Sequence, residues 1–410
     1  MNTLEKVYHV SEVADICGVS KETIRKWDRS GKLKAMREDS TAYRVYDRSS
    51  LEKLDEARLF FSHSEVRPKK VKPKRNYSLI ELFAGAGGLA LGLERNGFES
   101  VLLNEIDRNA CKTLRHNRPK WNVVEGPIES VDFTSYHDKI DVVTGGFPCQ
   151  SFSYAGKKRG FEDTRGTLFF EYARCLKEVR PKVFLGENVR GLLRHDQGRT
   201  LQTMLTVLKD LGYKVFEPRV LKAMHHRVPQ KRERLIIVGV RDDLSYDGEF
   251  EWPVPTGRIY TLRDALKKGD LYPCDVPDSE GQTYPEHKKA IMELIPPGGY
   301  WRDLPLNLQK SYMKKSFYLG GGKTGMARRM NWDEPSLTLT TAPAQKQTER
   351  CHPDETRPFT TKEYARVQTF PDEWFFEGSQ TAIYKQIGNA VPVNLAEALG
   401  QSLVRLLNSI

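Results

Sequence analysis

The chain has 410 residues, which is too long for one ordinary hydrophobic core and predicts two or three domains. Hydrophobic residues make up 39% of the sequence, and no apolar run approaches the ~20 residues of a membrane span, so we expect no membrane partner. The formal net charge of +11 fits a polyanionic partner, although a solvated basic surface explains the charge equally well.

The start of the chain and its cysteines indicate a reducing compartment. MNTLEKVYHV has no basic segment followed by an apolar one, so we expect no secretory signal. The six cysteines form no CxxC pair, which argues against a zinc site and against a disulfide framework. We therefore expect reduced thiols and no metal.

Residues 1–60 are predicted to form a small domain of their own. VSEVADICGVSKETIRKWDRSGKL places a Ser11 cap before a first helix, a turn at Gly18 and a Ser20 cap before a second helix, and YRVY predicts a short hairpin. The segment resembles the winged helix-turn-helix of the mercury-resistance-regulator (MerR) family. That resemblance implies that the second helix faces a DNA major groove through Lys21, Thr23, Arg25 and Lys26. A helical protein-docking module is the alternative.

Residues 61–76 are predicted to be a basic linker. VRPKKVKPKR carries six basic residues, two prolines and no acid, so it is typical of an extended segment that can lie along phosphates. The same string also matches a nuclear-localisation patch, but such matches arise often by chance.

Residues 77–255 alternate apolar strands with amphipathic helices, from LIELF to RLIIVGV. This alternation predicts a parallel sheet covered on both faces, with ligands at the carboxyl ends of the strands. Residues 256–372 are rich in glycine, proline, aromatic and basic residues and are predicted to be a separate small domain. Residues 373–410 return to a helical pattern.

A glycine-rich turn follows the first strand of this region. In FAGAGGLALGL, Gly85, Gly87 and Ala90 fit the G-x-G-x-x-A spacing, and Glu105 follows about 20 residues later at the end of the next strand. Backbone amides at a helix start with a nearby carboxylate predict a site for an adenosine-bearing cofactor. Alone, the pattern also fits a nicotinamide dehydrogenase or a tight strand-to-helix turn.

Chemically distinctive residues occur where other strands end or begin. Cys149 follows DVVTGG, where a strand stops, and Glu187 ends VFLGE. Arg232 and Arg234 precede RLIIVGV. Because these segments belong to one predicted sheet, a thiol, a carboxyl and two guanidinium groups can converge beside the glycine-rich turn.

Seven segments together resemble the DNA cytosine-5 methyltransferases. They are FAGAGG, GGFPCQSFS, RGTLFFEYAR, ENVRGLL, PQKRERLIIVG, RPFTTKEYARVQTFPDEW and YKQIGNAVPV, in that family's order, and they span the chain from Tyr77 onward. The resemblance implies an α/β fold: a Rossmann-like S-adenosylmethionine-dependent methyltransferase sheet with a small target-recognition domain, beside the N-terminal winged helix-turn-helix. It implies cytosine in double-stranded DNA as the substrate.

The resemblance also implies catalytic roles. Cys149 would add to the cytosine ring, Glu187 would hydrogen-bond N3 and N4, and Arg234, with Arg232 behind it, would hold O2 and the carboxylate. The base must first be flipped out of the duplex. The segment after Cys149 resembles the family's closing loop and would contact DNA through Gln150, Ser153, Lys157 and Arg165.

For the cofactor, the resemblance implies a pocket made of residues from several motifs. Those residues are Phe83, Ala84, Gly85, Gly87, Gly88, Leu89, Glu105, Ile106, Ile128, Pro148, Leu168, Asn389 and Ala390. Two positions depart from the family pattern: Pro127 stands where an aspartate commonly bonds the adenine amine, and Arg227 stands where glycine often precedes V-P-Q.

Three other functions compete with DNA methylation. A cytosine deaminase needs H-x-E with P-C-x-x-C, which is absent here. A tRNA cytosine-5 methyltransferase shares the catalytic motifs, and a DNA-binding regulator on an inactive scaffold would lack some of them. The large recognition region and the helix-turn-helix favour DNA over tRNA, and the occupied catalytic positions argue against an inactive scaffold. We expect the cytoplasmic, nucleoid-associated modification enzyme of a bacterial restriction-modification system, acting on the same site as a cognate endonuclease, with autoregulation through the N-terminal domain.

Overall fold

The structure is a computed structural model that describes residues 7–37, 43–61, 70–148, 168–246, 248–320 and 323–410. The strands are β1 (Val7–His9), β2 (Met36–Arg37), β3 (Arg44–Asp47), β4 (Tyr77–Leu82), β5 (Phe98–Glu105), β6 (Val123–Glu125), β7 (Val142–Gly145), β8 (Val183–Val189), β9 (Tyr213–Val215), β10 (Arg219–Lys222), β11 (Gln230–Lys231), β12 (Glu233–Arg241) and β13 (Ser336–Leu337).

The helices follow the same order along the chain. They are α1 (Val10–Cys17), α2 (Lys21–Ser30), α3 (Arg48–Glu52), α4 (Asp55–Phe61), α5 (Gly88–Glu94), α6 (Arg108–Asn117), α7 (Leu168–Val179), α8 (Arg199–Asp210), α9 (Leu262–Leu266), α10 (Glu286–Glu293), α11 (Leu306–Met313), α12 (Thr361–Val367), α13 (Gln380–Asn389) and α14 (Val393–Ser409). None of the helices in the described part of the chain combines the length and the hydropathy that a membrane span requires.

The N-terminal segment contains the two expected helices beside an antiparallel sheet of order β1-β3-β2. Gly18 ends α1 in the left-handed region, with φ 65°, and Ser20 Oγ accepts a hydrogen bond from the Thr23 amide at 3.0 Å. The expected Ser11 cap is wrong. Helix α1 begins at Val10 with His9 as its N-cap, two residues earlier than a Ser11 cap predicts, because the Glu12 carboxylate accepts a hydrogen bond from the His9 amide at 2.9 Å.

The central sheet has the order β10-β12-β8-β7-β4-β5-β6, with β9 paired to β12. The five strands from β8 to β6 are parallel, as predicted, but β12 runs antiparallel to β8. The prediction of a parallel sheet is therefore wrong for β12. The chain enters β12 from β10, its antiparallel neighbour, so β12 begins at the edge where the parallel strands end.

Helices cover both faces of this sheet. One face packs on α5 and α14 through a cluster that includes Leu79, Leu93 and Leu403, and the other packs on α7 and α8. Helices α5 and α14 approach closely at Gly92, where a Cβ atom would lie 2.4 Å from the Ala396 Cβ. The C-terminal helix is therefore an integral layer of the sheet domain.

The described part of the basic linker lies against the sheet domain. The Val71 amide donates to Gln401 Oε1 at 2.8 Å, and the Lys74 amide donates to Asn408 Oδ1 at 3.1 Å. Arg75 donates two hydrogen bonds to the Asp141 carboxylate, at 2.7 and 2.5 Å. Residues 70–75 thus follow α14 and the start of the sheet.

The segment that follows β12 and precedes α12 in the chain forms a hydrophobic core of its own. It contains Trp301, which is 4% exposed, together with Met292 and Met313. The Arg329 guanidinium, also buried, donates to the carbonyls of His352, Pro353 and Met292. Trp301 and Arg329 therefore belong to the core of the small domain, although tryptophan and arginine are also residue types that contact DNA.

Candidate active site

Three loops leave the central sheet at one edge. Leu82 of β4 is in register with Gly145 of β7, and Gly145 is in register with Gly186 of β8. The next residues along the chain are Phe83 and Gly146, which follow β4 and β7, and Glu187, which lies within β8. The sheet thus brings the glycine-rich turn, the segment before Cys149 and the ENV glutamate to the same place.

Glu187 and Arg234 form an ion pair at this edge. Arg234 Nε lies 2.5 Å from Glu187 Oε1, and each side chain is 12% exposed. The pairing depends on the antiparallel direction of β12, whose first residues lie beside the last residues of β8. The expected convergence of these two side chains is present.

The Glu187 carboxylate also lies against the segment that leads to Cys149. A Cβ atom on Gly146 would lie 2.9 Å from Glu187 Oε2, so the lack of a side chain at Gly146 makes room for the carboxylate. Asn188 Nδ2 donates a hydrogen bond to the Phe147 carbonyl at 2.9 Å and fixes the backbone just before Pro148. Asn188 belongs to the ENV motif, but residue type alone gave it no role.

Several expected site residues lie outside the described residues. They are Cys149, Gln150, Ser153, Lys157 and Arg165. Pro148, the last described residue before them, is exposed at the end of the loop from β7.

Arg232 is buried behind Arg234 and bonds to backbone carbonyls. Its guanidinium donates to Leu339 O at 3.3 Å, Gly388 O at 3.1 Å and Asn389 O at 3.4 Å. Burial lowers the pKa of Arg232 to about 9, and repulsion from Arg234 acts in the same direction. The side chain stays charged at neutral pH and joins β12 to the segment that contains Asn389.

The glycine-rich turn and Glu105 form a connected unit. Glu105 Oε2 accepts a hydrogen bond from the Gly85 amide at 2.7 Å, and Oε1 accepts from the amides of Ile106 and Asp107 at 2.9 and 2.7 Å. Gly85 has φ 54°, and a Cβ atom there would meet nothing within 4 Å. The turn therefore leaves open space beside a buried carboxylate.

This unit fits an adenosine-bearing cofactor. The Ile106 side chain is 70% exposed, which provides an apolar surface for an adenine ring next to Glu105. Ala390 lies beside the turn, because a Cβ on Gly88 would be 3.4 Å from the Ala390 Cβ, and Asn389 is exposed. Open space, a carboxylate and an apolar face suit the ribose and adenine of such a cofactor.

The other expected cofactor residues lie around the same edge in different environments. Phe83 adopts a left-handed conformation with φ 57°, and Leu168 is the first residue of α7. Ile128 is only 3% exposed and packs in the core on the α7 side of the sheet. Ala84, Gly87 and Leu89 complete the turn at the start of α5.

The described cysteines include no exposed thiolate candidate at this edge. Burial raises the pKa of Cys17 to about 11, of Cys111 to about 12 and of Cys351 to about 11, and it also raises the pKa of Cys175. Cys274 is exposed but lies in the small domain, within 3.5 Å of Arg366 Nη2.

The four expected groove-facing residues lie on α2. Arg25 and Lys26 are exposed, and Thr23 is partly buried. Arg25 Nη1 lies 3.4 Å from Glu22 Oε2. Lys21 Nζ lies 3.3 Å from Glu334 Oε1, which belongs to the small domain, a contact that the sequence did not reveal.

Two known protein families match the chain, and the boundary between their matches falls at the end of the basic linker. Residues 77–405 match the family described as C-5 cytosine-specific DNA methylase, and residues 8–75 match the MerR HTH family regulatory protein.

Curated relatives are similar over nearly the whole chain. The chain is 64% identical to the Type II methyltransferase M.Eco47II of Escherichia coli, with 100% of this chain and 98% of that protein covered. It is 60% identical to M.PspPI of Psychrobacter sp. (strain TA137), covering 97% and 95%, and 53% identical to M.Sau96I of Staphylococcus aureus, covering 87% and 80%.

Solved structures share the fold at lower identity. A protein described as a DNA modification methyltransferase encoded within an E. coli prophage gives a TM-score of 0.58 at 24% identity, covering 81% of this chain and 99% of that one. The S. pombe Dnmt2 methyltransferase gives 0.55 at 18%, with the same coverage. With its motifs, its sheet and these relatives in agreement, the chain belongs to the C-5 cytosine-specific DNA methylase family.

Proposed function

We propose that Cys149, Glu187 and Arg234 carry out the sequence-specific methylation of DNA cytosine that membership of this family establishes. The observation that carries the proposal is the Glu187–Arg234 pair, whose carboxylate lies against Gly146, three residues before Cys149. A nucleophile placed after Pro148 would then share one small volume with an acid and a cation.

The residue types match the chemistry of cytosine. Carbon 5 is a poor nucleophile, so the Cys149 sulfur adds to carbon 6, and the electrons of the 5,6 double bond move toward carbon 5 and the N3–O2 side of the ring. Glu187 would hydrogen-bond N3 and N4, and Arg234 would bind O2 while holding the Glu187 carboxyl in place. Carbon 5 would then form the bond to the donor's methyl group. Loss of the carbon 5 proton to water and departure of the Cys149 thiolate would restore the 5,6 double bond.

S-adenosylmethionine, when bound, supplies the electrophilic methyl group. Glu105 would accept hydrogen bonds from ribose hydroxyls, and Ile106 would contact the adenine ring. The turn from Phe83 to Leu89 would hold the methionine end. Asn389 and Ala390, tied to β12 by Arg232, would close the pocket from the C-terminal side.

The target cytosine has to leave the base stack before Cys149 can reach it. Unstacking costs a few kcal/mol, which contacts to phosphates and grooves must supply. We assign such contacts to Gln150, Ser153, Lys157 and Arg165. Among residues of the small domain, Lys314 and Lys315 carry charge suited to phosphates.

We further propose that the chain is the modification enzyme of a bacterial restriction-modification system. Its relatives at 53–64% identity are named Type II methyltransferases, whereas its likeness to Dnmt2 at 18% concerns the fold alone. It would protect the host nucleoid from an endonuclease that recognises the same sequence without forming a stable complex with it. The N-terminal domain would add autoregulation through promoter DNA.

Bisulfite sequencing of genomic DNA and of tRNA from expressing cells tests this function. A host without cytosine-5 methylation is required, with a Cys149→Ser strain as the control. We expect methylation of DNA in one short sequence context and none in the control strain. Methylation confined to tRNA, or methylation that persists in the control, would overturn the proposal.

A further inference from the structure

The carboxyl end of α1 packs against the methyltransferase domain. Lys222 Nζ donates to Cys17 O at 3.1 Å, and His225 Nε2 donates to Asp15 O at 3.2 Å. Helix α1 has no basic residue in its own last turn. Lys222 and His225 therefore supply, from another domain, the donors that the free carbonyls of a helix end require.

The fit at this contact depends on Gly18. A Cβ atom there would lie 1.4 Å from Lys222 Nζ, so the lysine amine occupies the space that any other residue would fill. The Phe60 ring packs 5.5 Å from the His225 ring, and Ile259 joins the hydrophobic core of the N-terminal segment. The interface thus combines hydrogen bonds with apolar packing.

A chain of ion pairs extends the interface to the small domain. Lys231 Nζ lies 2.9 Å from Asp15 Oδ1 and 3.8 Å from Glu334 Oε2, and Lys21 pairs with the other oxygen of Glu334. The Asp15 side chain is 12% exposed, and burial raises its pKa, an effect that Lys231 opposes. Removal of either partner would leave a poorly solvated charge.

Lys231 lies two residues before β12, and the side chains from Lys231 to Arg234 alternate in direction. Lys231 contacts Asp15, and Glu233 contacts Arg190 at 2.7 Å, on one side of the segment. Arg232 contacts Gly388 and Asn389, and Arg234 contacts Glu187, on the other side. On one side, residues 231–234 therefore contact the N-terminal domain through Lys231. On the other side, they present the guanidinium groups of Arg232 and Arg234 to the candidate active site.

We propose that the helix-turn-helix domain positions the methyltransferase active site, with Asp15 and Lys231 as the positioning residues. By holding residues 222–231 at three points, the domain fixes the start of β12 and so fixes Arg234 against Glu187. The inference rests on the proposed roles of Glu187 and Arg234. It assigns the N-terminal domain a part in methylation that is separate from any promoter binding.

Steady-state methylation by the full-length protein tests this role. The variants are Asp15→Asn, Lys231→Met, the double variant, and Lys231→Arg as the conservative replacement. Glu56→Gln is the matched control, because Glu56 pairs with Lys32 at 2.6 Å inside the N-terminal segment. Rates are expressed per cofactor-binding site, counted by titration with S-adenosylhomocysteine, so that misfolded protein does not contribute.

We expect kcat to fall about tenfold in Asp15→Asn and in Lys231→Met, with KM for DNA and for the methyl donor within about twofold of wild type. The double variant should be no worse than either single variant, because both remove the same contact. Lys231→Arg should restore most of kcat, and Glu56→Gln should match wild type.

An unchanged kcat per site in both single variants, or a loss equal to that of Glu56→Gln, would overturn the positioning role. So would a change confined to the melting temperature. If Lys231→Met does not fold, Lys222→Met removes a separate anchor and is judged by the same criteria. A Glu187→Gln variant is assayed alongside: normal turnover in it refutes the proposed site itself, whereas an impaired Glu187→Gln beside normal Asp15→Asn and Lys231→Met refutes only the positioning role.

Discussion

Arg234 Nε lies 2.5 Å from Glu187 Oε1, and the two residues belong to neighbouring strands that run in opposite directions. The antiparallel entry of β12 brings an arginine from the start of one strand to a glutamate at the end of its neighbour. Because each side chain is only 12% exposed, little water competes with the pair. The two groups should therefore act as a unit.

Substitution of either member of this pair should lower the rate of the chemical step. We expect Glu187→Gln to reduce kcat by about 10²–10³-fold, because general acid–base catalysis contributes on that scale. Glu187→Gln combined with Arg234→Lys should be less harmful than the product of the single effects. Single-turnover methylation assays measure these values, with the exposed Glu99→Gln as the control. Additive losses would contradict a coupled pair.

Arg232 should matter for stability and cofactor binding more than for chemistry. Arg232→Lys replaces two separate donor nitrogens, which bond to the buried carbonyls of Leu339 and Gly388, with a single ammonium that cannot serve both, at a cost of about 2–4 kcal/mol. We expect a melting temperature several degrees lower and weaker binding of S-adenosylhomocysteine. Arg234→Lys, at the mouth of the site, should melt near the wild-type temperature. Equal melting temperatures for the two variants would argue against this division of roles.

Glu105 should control the affinity for the cofactor. Its two carboxylate oxygens accept hydrogen bonds from three backbone amides, and Glu105→Gln replaces one of these oxygens with an NH2 group that cannot accept. Isothermal titration with S-adenosylhomocysteine should show a Kd raised about 10- to 100-fold. A Kd within twofold of wild type, with Glu99→Gln as reference, would remove Glu105 from the site.

The convergence of Glu187 and Arg234 could be predicted from the sequence because strand ends can be read from apolar runs and glycine turns. The segments DVVTGG and VFLGE predicted that Gly146 and Glu187 lie at the same ends of neighbouring strands. The order of the motifs predicted the family. The direction of β12 could not be read in this way, since an apolar strand looks the same in either orientation. Ser11 was misassigned because a carboxylate at Glu12 competes for the helix start.

Contacts between distant segments were also beyond sequence reasoning. Nothing in the residue pattern pairs Asp15 with Lys231, which are far apart in the chain. The structure explains why the family often has glycine at position 227. The backbone of Arg227 has a φ of 57°, in the left-handed region that glycine adopts most easily. Its side chain packs over Tyr260 and pairs with Asp270 at 3.3 Å, contacts that offset the strain.

Two buried histidines, His225 at the domain interface and its neighbour His226, should make stability fall in mild acid. Burial, with Lys222 acting in the same direction, lowers the pKa of His225 to about 4, and burial lowers the pKa of His226 to about 3. Unfolded histidine has a pKa of about 6.5, so the unfolded chain binds more protons between these values. Stability is therefore fully present above about pH 6.5 and is lost as the pH falls toward 4.

His225→Gln isolates one part of this effect while keeping a side-chain donor for Asp15 O. Between pH 7.5 and pH 5 the wild type should lose about 2 kcal/mol more of its unfolding free energy than this variant does. Denaturant unfolding at the two pH values measures the difference. Identical losses in both proteins would show that His225 does not titrate on unfolding.

The formation of a covalent bond between Cys149 and cytosine is the central chemical claim, and trapping on duplex DNA that contains 5-fluorocytosine tests it most directly. Fluorine at carbon 5 cannot leave as a proton, so an adduct formed in the presence of the methyl donor persists and can be located by peptide mass spectrometry. The account predicts an adduct on the Cys149 peptide in the wild type and in Cys274→Ser, and none in Cys149→Ser. Absence of the adduct from active wild-type enzyme, or its survival in Cys149→Ser, would contradict the account.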